Sequence, residues 1–96
     1  MSKLKMTPSS GNVFTDLGFS PEEASLLQMR ANLMNELRQV IDARGWTQLA
    51  AARELGVSQY RVSDLVRGKW QQVSLDMLVT LAVRAGLRVN VELVAA

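Results

Sequence analysis

The 96-residue sequence contains no cysteine and no histidine. Without cysteine the chain can form neither disulfides nor thiolate metal sites, which fits a reducing cytoplasm. Without histidine it lacks the usual residue of catalytic triads, imidazole general bases and most zinc sites. A glycine-rich phosphate-binding loop is also missing from the sequence. We therefore expect the protein to be no enzyme and to hold no cofactor and no metal.

Long apolar runs are lacking as well, and none approaches the roughly 18 residues of a membrane helix. The first ten residues include lysines but not the apolar stretch of a signal peptide. We therefore expect a cytoplasmic protein with no membrane partner. The hydrophobic content of 48% is sufficient for the core of one small domain.

The net charge of +2 is unevenly distributed along the chain. Residues 16–43 carry five acids against Arg30 and Arg38, whereas residues 44–70 carry five bases against Glu54 and Asp64. A basic central segment is expected where a protein meets a polyanion such as DNA, although an ordinary solvated surface gives the same count.

Capping residues and glycines divide the chain into segments. Residues 1–11 are polar and predict a flexible arm, and we expect residues 12–96 to form a single domain. Within it, a Ser, Thr or Asn precedes each helical pattern and a glycine follows it. The predicted helices are a single turn at 13–17, a long helix from 21 to 44, and shorter helices at 48–55, 59–67 and 75–85.

The end of the chain changes from helical spacing to strict alternation. Apolar Leu87, Val89, Val91 and Leu93 alternate with polar Arg88, Asn90 and Glu92. A period of two with β-branched residues predicts a β-strand at 87–94. A lone strand is unstable in water, so we expect it to pair with the same strand of a second copy, antiparallel across a two-fold axis. The sheet edge of a toxin protein is the alternative partner.

The segment from Thr47 to Gly68, followed by Lys69, has the pattern of a helix-turn-helix. Two short helices are joined by a three-residue turn that starts at Gly56, and small Ala51 lies where the helices must approach. The expected fold is mainly α, a bundle of about five helices with one C-terminal strand.

The second helix of this pair should enter the major groove of double-stranded DNA. Its spacing places Val62, Leu65 and Val66 on the core side. The predicted base-reading residues are Gln59, Tyr60, Ser63 and Asp64, with Arg61 on the flank able to reach backbone or base. For Asp64 the alternative is an ion pair with Arg61, Arg67 or Lys69 that keeps it from DNA.

Phosphate contacts are expected from helix N-termini and from cations beside them. The candidates are Gln48, Ser58, Arg67 and Lys69. The alternative for Ser58 is a helix cap alone, and the alternative for Arg67 and Lys69 is a solvated turn after the helix. Trp70, next to this basic run, lies either along the DNA backbone or in the core.

Several of these residues also carry a family resemblance. Thr47-Gln48, Ala51, Gly56-Val57-Ser58-Gln59, Val62-Ser63, Leu65 and Arg67-Gly68-Lys69 resemble the lambda-repressor-like (XRE) helix-turn-helix family, over Leu33 to Ala85. The stretches Leu17 to Ala24 and Ser74 to Leu78 are similar to the HigA-type antitoxin branch.

The helix-turn-helix and the pairing of the tail together predict a homodimeric repressor that binds an inverted-repeat operator. The resemblance implies an antitoxin that autoregulates a type II toxin–antitoxin operon and neutralises a toxin that cleaves mRNA, and we expect this toxin to be a small basic protein. In this family the glutamines matching Gln48 and Gln59 often contact DNA, so the resemblance supports both as DNA-contacting residues. A different hypothesis keeps the helix-turn-helix as a scaffold only, with the acidic helix and the tail binding another protein.

Overall fold

The computed structural model describes residues 12–95, which form five α-helices joined by short turns. The helices are α1 (Val13–Asp16), α2 (Pro21–Ala43), α3 (Gln48–Leu55), α4 (Gln59–Val66) and α5 (Leu75–Arg84). The mainly helical, five-helix prediction is confirmed, and each helix matches its predicted bounds to within about one residue. The predicted flexible arm at 1–11 lies outside the described residues.

The helix ends follow the capping pattern of the sequence. The side-chain oxygens of Asn12, Ser20, Thr47, Ser58 and Ser74 each accept a backbone N–H from the first turn of the helix that follows. Gly68, with φ +69°, closes α4 in a Schellman turn. The Gly68 N–H donates to the Leu65 carbonyl at 3.1 Å, and the Lys69 N–H donates to the Asp64 carbonyl at 3.0 Å. Lys69 therefore has a backbone position fixed directly by α4.

The core lies between α2 and α5 and is closed by α3 and α4. Its fully buried side chains include Met34, Leu37, Leu55, Leu65, Leu78 and Leu81. A second cluster joins α2, α3 and α4 through Ile41, Ala51, Ala52 and Val62. Ala51 has no exposed surface, because the small side chain lets α3 and α4 pack closely. The helix pair α3–α4 is therefore seated on the C-terminal half of α2.

A cluster of three aromatic rings lies at the other end of α2. The Trp70 ring meets Phe14 at 5.1 Å and Phe19 at 6.3 Å between ring centres, and Phe14 meets Phe19 at 6.2 Å, all edge to face. Of the two placements considered for Trp70, the structure shows packing. The cluster ties α1 to the loop that follows α4, which carries Lys69.

The predicted strand at 87–94 does not form within residues 12–95, where Val91 is only an isolated bridge position. Leu87 and Val89 pack half-buried against the core, but Val91 is 54% and Leu93 93% exposed. The physical reason is that alternation records which side of a segment is apolar, whereas a strand also needs a hydrogen-bonded neighbour. Among the helices of this described range, none is long and apolar enough to span a bilayer.

Candidate nucleic-acid interface

The solvent-facing side of α4 is polar along most of its length. Gln59 and Arg67 are exposed, Tyr60 is 77% exposed, and Ser63 is partly exposed. At about 100° per residue, these positions and Val66 span an arc of roughly 120° on the helix surface. Three of the predicted base-reading residues, Gln59, Tyr60 and Ser63, therefore share one accessible face.

Val66 belongs to this exposed face, although its spacing predicted a place in the core. It is 37% exposed, while Val62 and Leu65 are fully buried as expected. Compared with the predicted face, the buried face of α4 thus includes Asp64 and excludes Val66. Nothing in the pattern of this helix alone indicated that difference.

Asp64 is buried rather than presented with the other predicted base-reading residues. Its side chain is 5% exposed, and its Oδ2 lies 3.8 Å from Nη1 of Arg61. The same Arg61 nitrogen donates to the carbonyl oxygen of Gln72 at 2.7 Å. The structure thus shows the alternative considered for Asp64, an ion pair with Arg61. In this arrangement neither Asp64 nor Arg61 lies on the exposed face of α4.

The loop between α4 and α5 explains this burial. It folds back along α4 and is anchored at three points: Trp70 in the aromatic cluster, the Gln72 carbonyl on Arg61, and Val73, which is buried in the core. Helical periodicity predicts which face of α4 is apolar and which is polar. It cannot show that a loop later in the chain covers part of the polar face. The same anchoring holds Lys69 beside the C-terminal end of α4.

The four predicted phosphate-contacting residues are all exposed: Gln48, Ser58, Arg67 and Lys69. Gln48 is the first residue of α3, and Ser58 is the N-cap of α4, whose Oγ accepts the Arg61 N–H at 3.1 Å. The Ser58 hydroxyl keeps its own hydrogen for a phosphate oxygen, so capping and phosphate contact are compatible. Across residues 12–95, Arg67 and Lys69 take part in no ion pair.

The fold adds one cation that the sequence analysis did not select. A β-carbon placed on Gly68 would lie 3.8 Å from Nη1 of Arg38, so this guanidinium sits beside the end of α4. Arg38 is exposed on α2, and the Gly68 that it approaches lies between the exposed Arg67 and Lys69 in the chain. We refer to these three cations as the basic cluster. Thirty positions separate Arg38 from Gly68. The only available signal was that Arg38, one of two arginines in the acidic helix, lies on the half that carries α3 and α4.

A second arginine fixes the turn between the two short helices. Nη1 of Arg84, on α5, donates to the carbonyls of Leu55 at 3.0 Å and Gly56 at 3.5 Å. The carbonyls at a helix C-terminus carry partial negative charge, so a guanidinium there stabilises the end of α3. Gly56 has φ +69°, which lets the chain turn sharply into α4. Arg84 thus helps to set the angle at which α4 is presented.

The helices α3 and α4 are short and are joined by a tight turn, and α4 has a polar exposed face with cations at its end. This arrangement defines a helix-turn-helix protein. A family model described as a helix-turn-helix domain matches residues 13–93. The chain belongs to that family, in agreement with the lambda-repressor-like resemblance of its motif. This membership places it in the class of DNA-binding regulators. No curated protein and no solved structure gives a significant match.

Proposed function

We propose that this chain is a non-enzymatic, cytoplasmic transcriptional repressor that binds an inverted-repeat operator as a homodimer. The exposed face of α4 carries this proposal, because Gln59, Tyr60 and Ser63 share it and the first two lie at the N-terminal end, where recognition helices contact bases. In the dimer, two such helices lie about 34 Å apart, or a multiple of this distance, and contact successive half-sites. Occupancy of the operator then blocks transcription.

Base contacts are assigned to the accessible side chains of α4. The Gln59 amide suits the N6 and N7 atoms of adenine, and the Ser63 hydroxyl can donate to or accept from any base edge. Tyr60 offers a hydroxyl and a flat ring, and Val66 offers methyl groups to a thymine methyl. Asp64 is left out because its carboxylate is buried against Arg61.

Phosphate contacts set the register of the protein on the duplex. They come from the N-terminal ends of α3 and α4, through Gln48 and Ser58, and from the basic cluster of Arg38, Arg67 and Lys69. The cluster is favourable for this role because, in the described part of the chain, none of its members forms an ion pair. Its charge is therefore available to a polyanion.

Two variants separate base contact from phosphate contact, with the DNA upstream of the chain's own gene as candidate operator. Gln59→Ala should reduce the preference for operator over random DNA about 5- to 150-fold, the range of one good bidentate pair. Lys69→Ala should weaken both DNAs alike and lower the slope of log affinity against log salt by about 0.9.

Matched substitutions serve as controls. Gln39→Ala removes an exposed glutamine from α2 and should leave binding unchanged, and Lys69→Arg should keep the salt slope. Equal weakening of operator and random DNA by Gln59→Ala would exclude Gln59 as a base-contacting residue. An unchanged slope for Lys69→Ala would remove Lys69 from the phosphate contacts.

We further propose that the repressor is the antitoxin of a type II toxin–antitoxin operon, which it autoregulates, and that it neutralises a small basic toxin that cleaves mRNA. The support is the resemblance at Leu17 to Ala24 and Ser74 to Leu78, together with exposed Asp16, Glu22 and Glu23, which suit a basic partner. The test is co-expression with the neighbouring reading frame. Rescue of growth together with co-purification supports an antitoxin. A complex without any retarded DNA band at low salt would instead favour a protein-interaction module.

A further inference from the structure

The tail that follows α5 is symmetric in side-chain type about Asn90. Leucines lie three positions away on each side, charged residues of opposite sign two positions away, and valines one position away. These are Leu87 and Leu93, Arg88 and Glu92, and Val89 and Val91. We propose that two copies pair their tails antiparallel in the register that places Asn90 on the two-fold axis. This inference rests on the homodimer of the proposed function and specifies its interface.

Charge complementarity selects this register. It sets Arg88 opposite Glu92 of the second copy, and Glu92 opposite that copy's Arg88, at about 4.5–5.5 Å between β-carbons. A shift of two residues faces Arg88 with Asn90 or Val94 and loses both pairs. A shift of one residue sets apolar side chains opposite polar ones. In the described single chain neither Arg88 nor Glu92 has an ion pair, so both charges are available.

The apolar side of the tail fits the same register. Leu87 and Val89 line a groove together with Leu33, Leu37 and Ala82 of α2 and α5. Antiparallel pairing about Asn90 brings Leu93 of the second copy opposite Leu87, and Val91 of the second copy opposite Val89. These incoming apolar side chains, Leu93 and Val91, are 93% and 54% exposed in the single chain. The pairing therefore covers apolar surface that the single chain leaves in water.

Charge reversal tests the register directly. Arg88→Glu and Glu92→Arg each place like charges opposite one another on both sides of the axis. Each single variant should weaken dimerisation about tenfold or more in sedimentation equilibrium at low salt. The double variant restores opposite charges at the same positions and should return the dimer constant to within about threefold. Reversing exposed Arg53 and Glu54 on α3 is the matched control and should have no effect.

The absence of native cysteine allows a second measurement. Only the residue on the axis faces its own counterpart, at about 4.5–5.5 Å between α-carbons, a distance that suits a disulfide. Asn90→Cys should therefore oxidise to a covalent dimer. Arg88→Cys should not, because its counterpart lies four residues along, about 14 Å away. Cross-linking at position 89 or 91 in preference to 90 would show a shifted register.

The possible failures are distinguishable. A stable dimer with additive charge reversals and no cross-link at position 90 overturns the register but leaves the dimeric repressor in place. A wild-type chain that stays monomeric, both alone and on operator DNA, overturns the tail pairing and the dimer of the proposed function together. Operator preference lost through Gln59→Ala is measured separately and reports on the DNA-contacting surface alone.

Discussion

Replacing the buried Asp64 should destabilise the protein without altering its base preference. The carboxylate is 5% exposed and lies 3.8 Å from Arg61. Arg61 in turn holds the Gln72 carbonyl at 2.7 Å, so the pair fastens the returning loop to α4. Asp64→Ala removes the anion, leaves the guanidinium without its counter-ion and loosens the loop that carries Lys69.

The size of the effect is bounded by the exposure of the two groups. Loss of one partner of a fully buried pair costs about 3–5 kcal/mol, whereas an exposed pair contributes about 0–1 kcal/mol. Arg61 keeps 34% of its side chain in water, which solvates part of the orphaned charge. We therefore expect a loss of about 1–2 kcal/mol in the free energy of unfolding. For a domain of this size that lowers Tm by roughly 5–15 °C.

The assay combines urea unfolding with binding to a set of operators altered one base pair at a time. Asp64→Ala should lower the unfolding midpoint and weaken all operators by a similar factor. Ser63→Ala, on the exposed face of the same helix, is the matched variant and should stay within about 0.5 kcal/mol of wild-type stability while changing binding. Unchanged unfolding with an altered preference at one base pair would refute the buried role of Asp64.

Two further substitutions test how the recognition helix is held. Arg84→Met removes both hydrogen bonds to the end of α3. We therefore expect the free energy of unfolding in urea to fall by about 1–2 kcal/mol and DNA binding to weaken uniformly. A changed preference at a single base pair would instead indicate that Arg84 contacts DNA directly. Trp70→Leu removes two edge-to-face ring contacts and should cost about 1–3 kcal/mol in unfolding. Full stability of this variant in the same assay would contradict a structural role for the aromatic cluster.

Local chemistry made much of this fold predictable. A cap such as Ser58 and a glycine such as Gly68 act within one helical turn, so the bounds of the helices follow from the sequence alone. The helix-turn-helix is predictable for the same reason, since Ala51 and Gly56 satisfy requirements of neighbouring residues. The exposed positions of Gln59 and Tyr60 also follow, because they begin a helix whose apolar side is distinct.

Contacts between distant parts of the chain decided the rest. The helix pattern set Asp64 outwards and Val66 inwards, but the returning loop covers one polar side of α4 and leaves Val66 partly in water. Arg38 reaches the basic cluster only because α2 passes beside the end of α4. The alternation at 87–94 determined which side of the tail is apolar, whereas a strand requires a neighbour that the described residues of one chain do not supply. The sequence thus determines the local conformation that each residue favours. Tertiary packing decides which of the polar side chains remain exposed on α4.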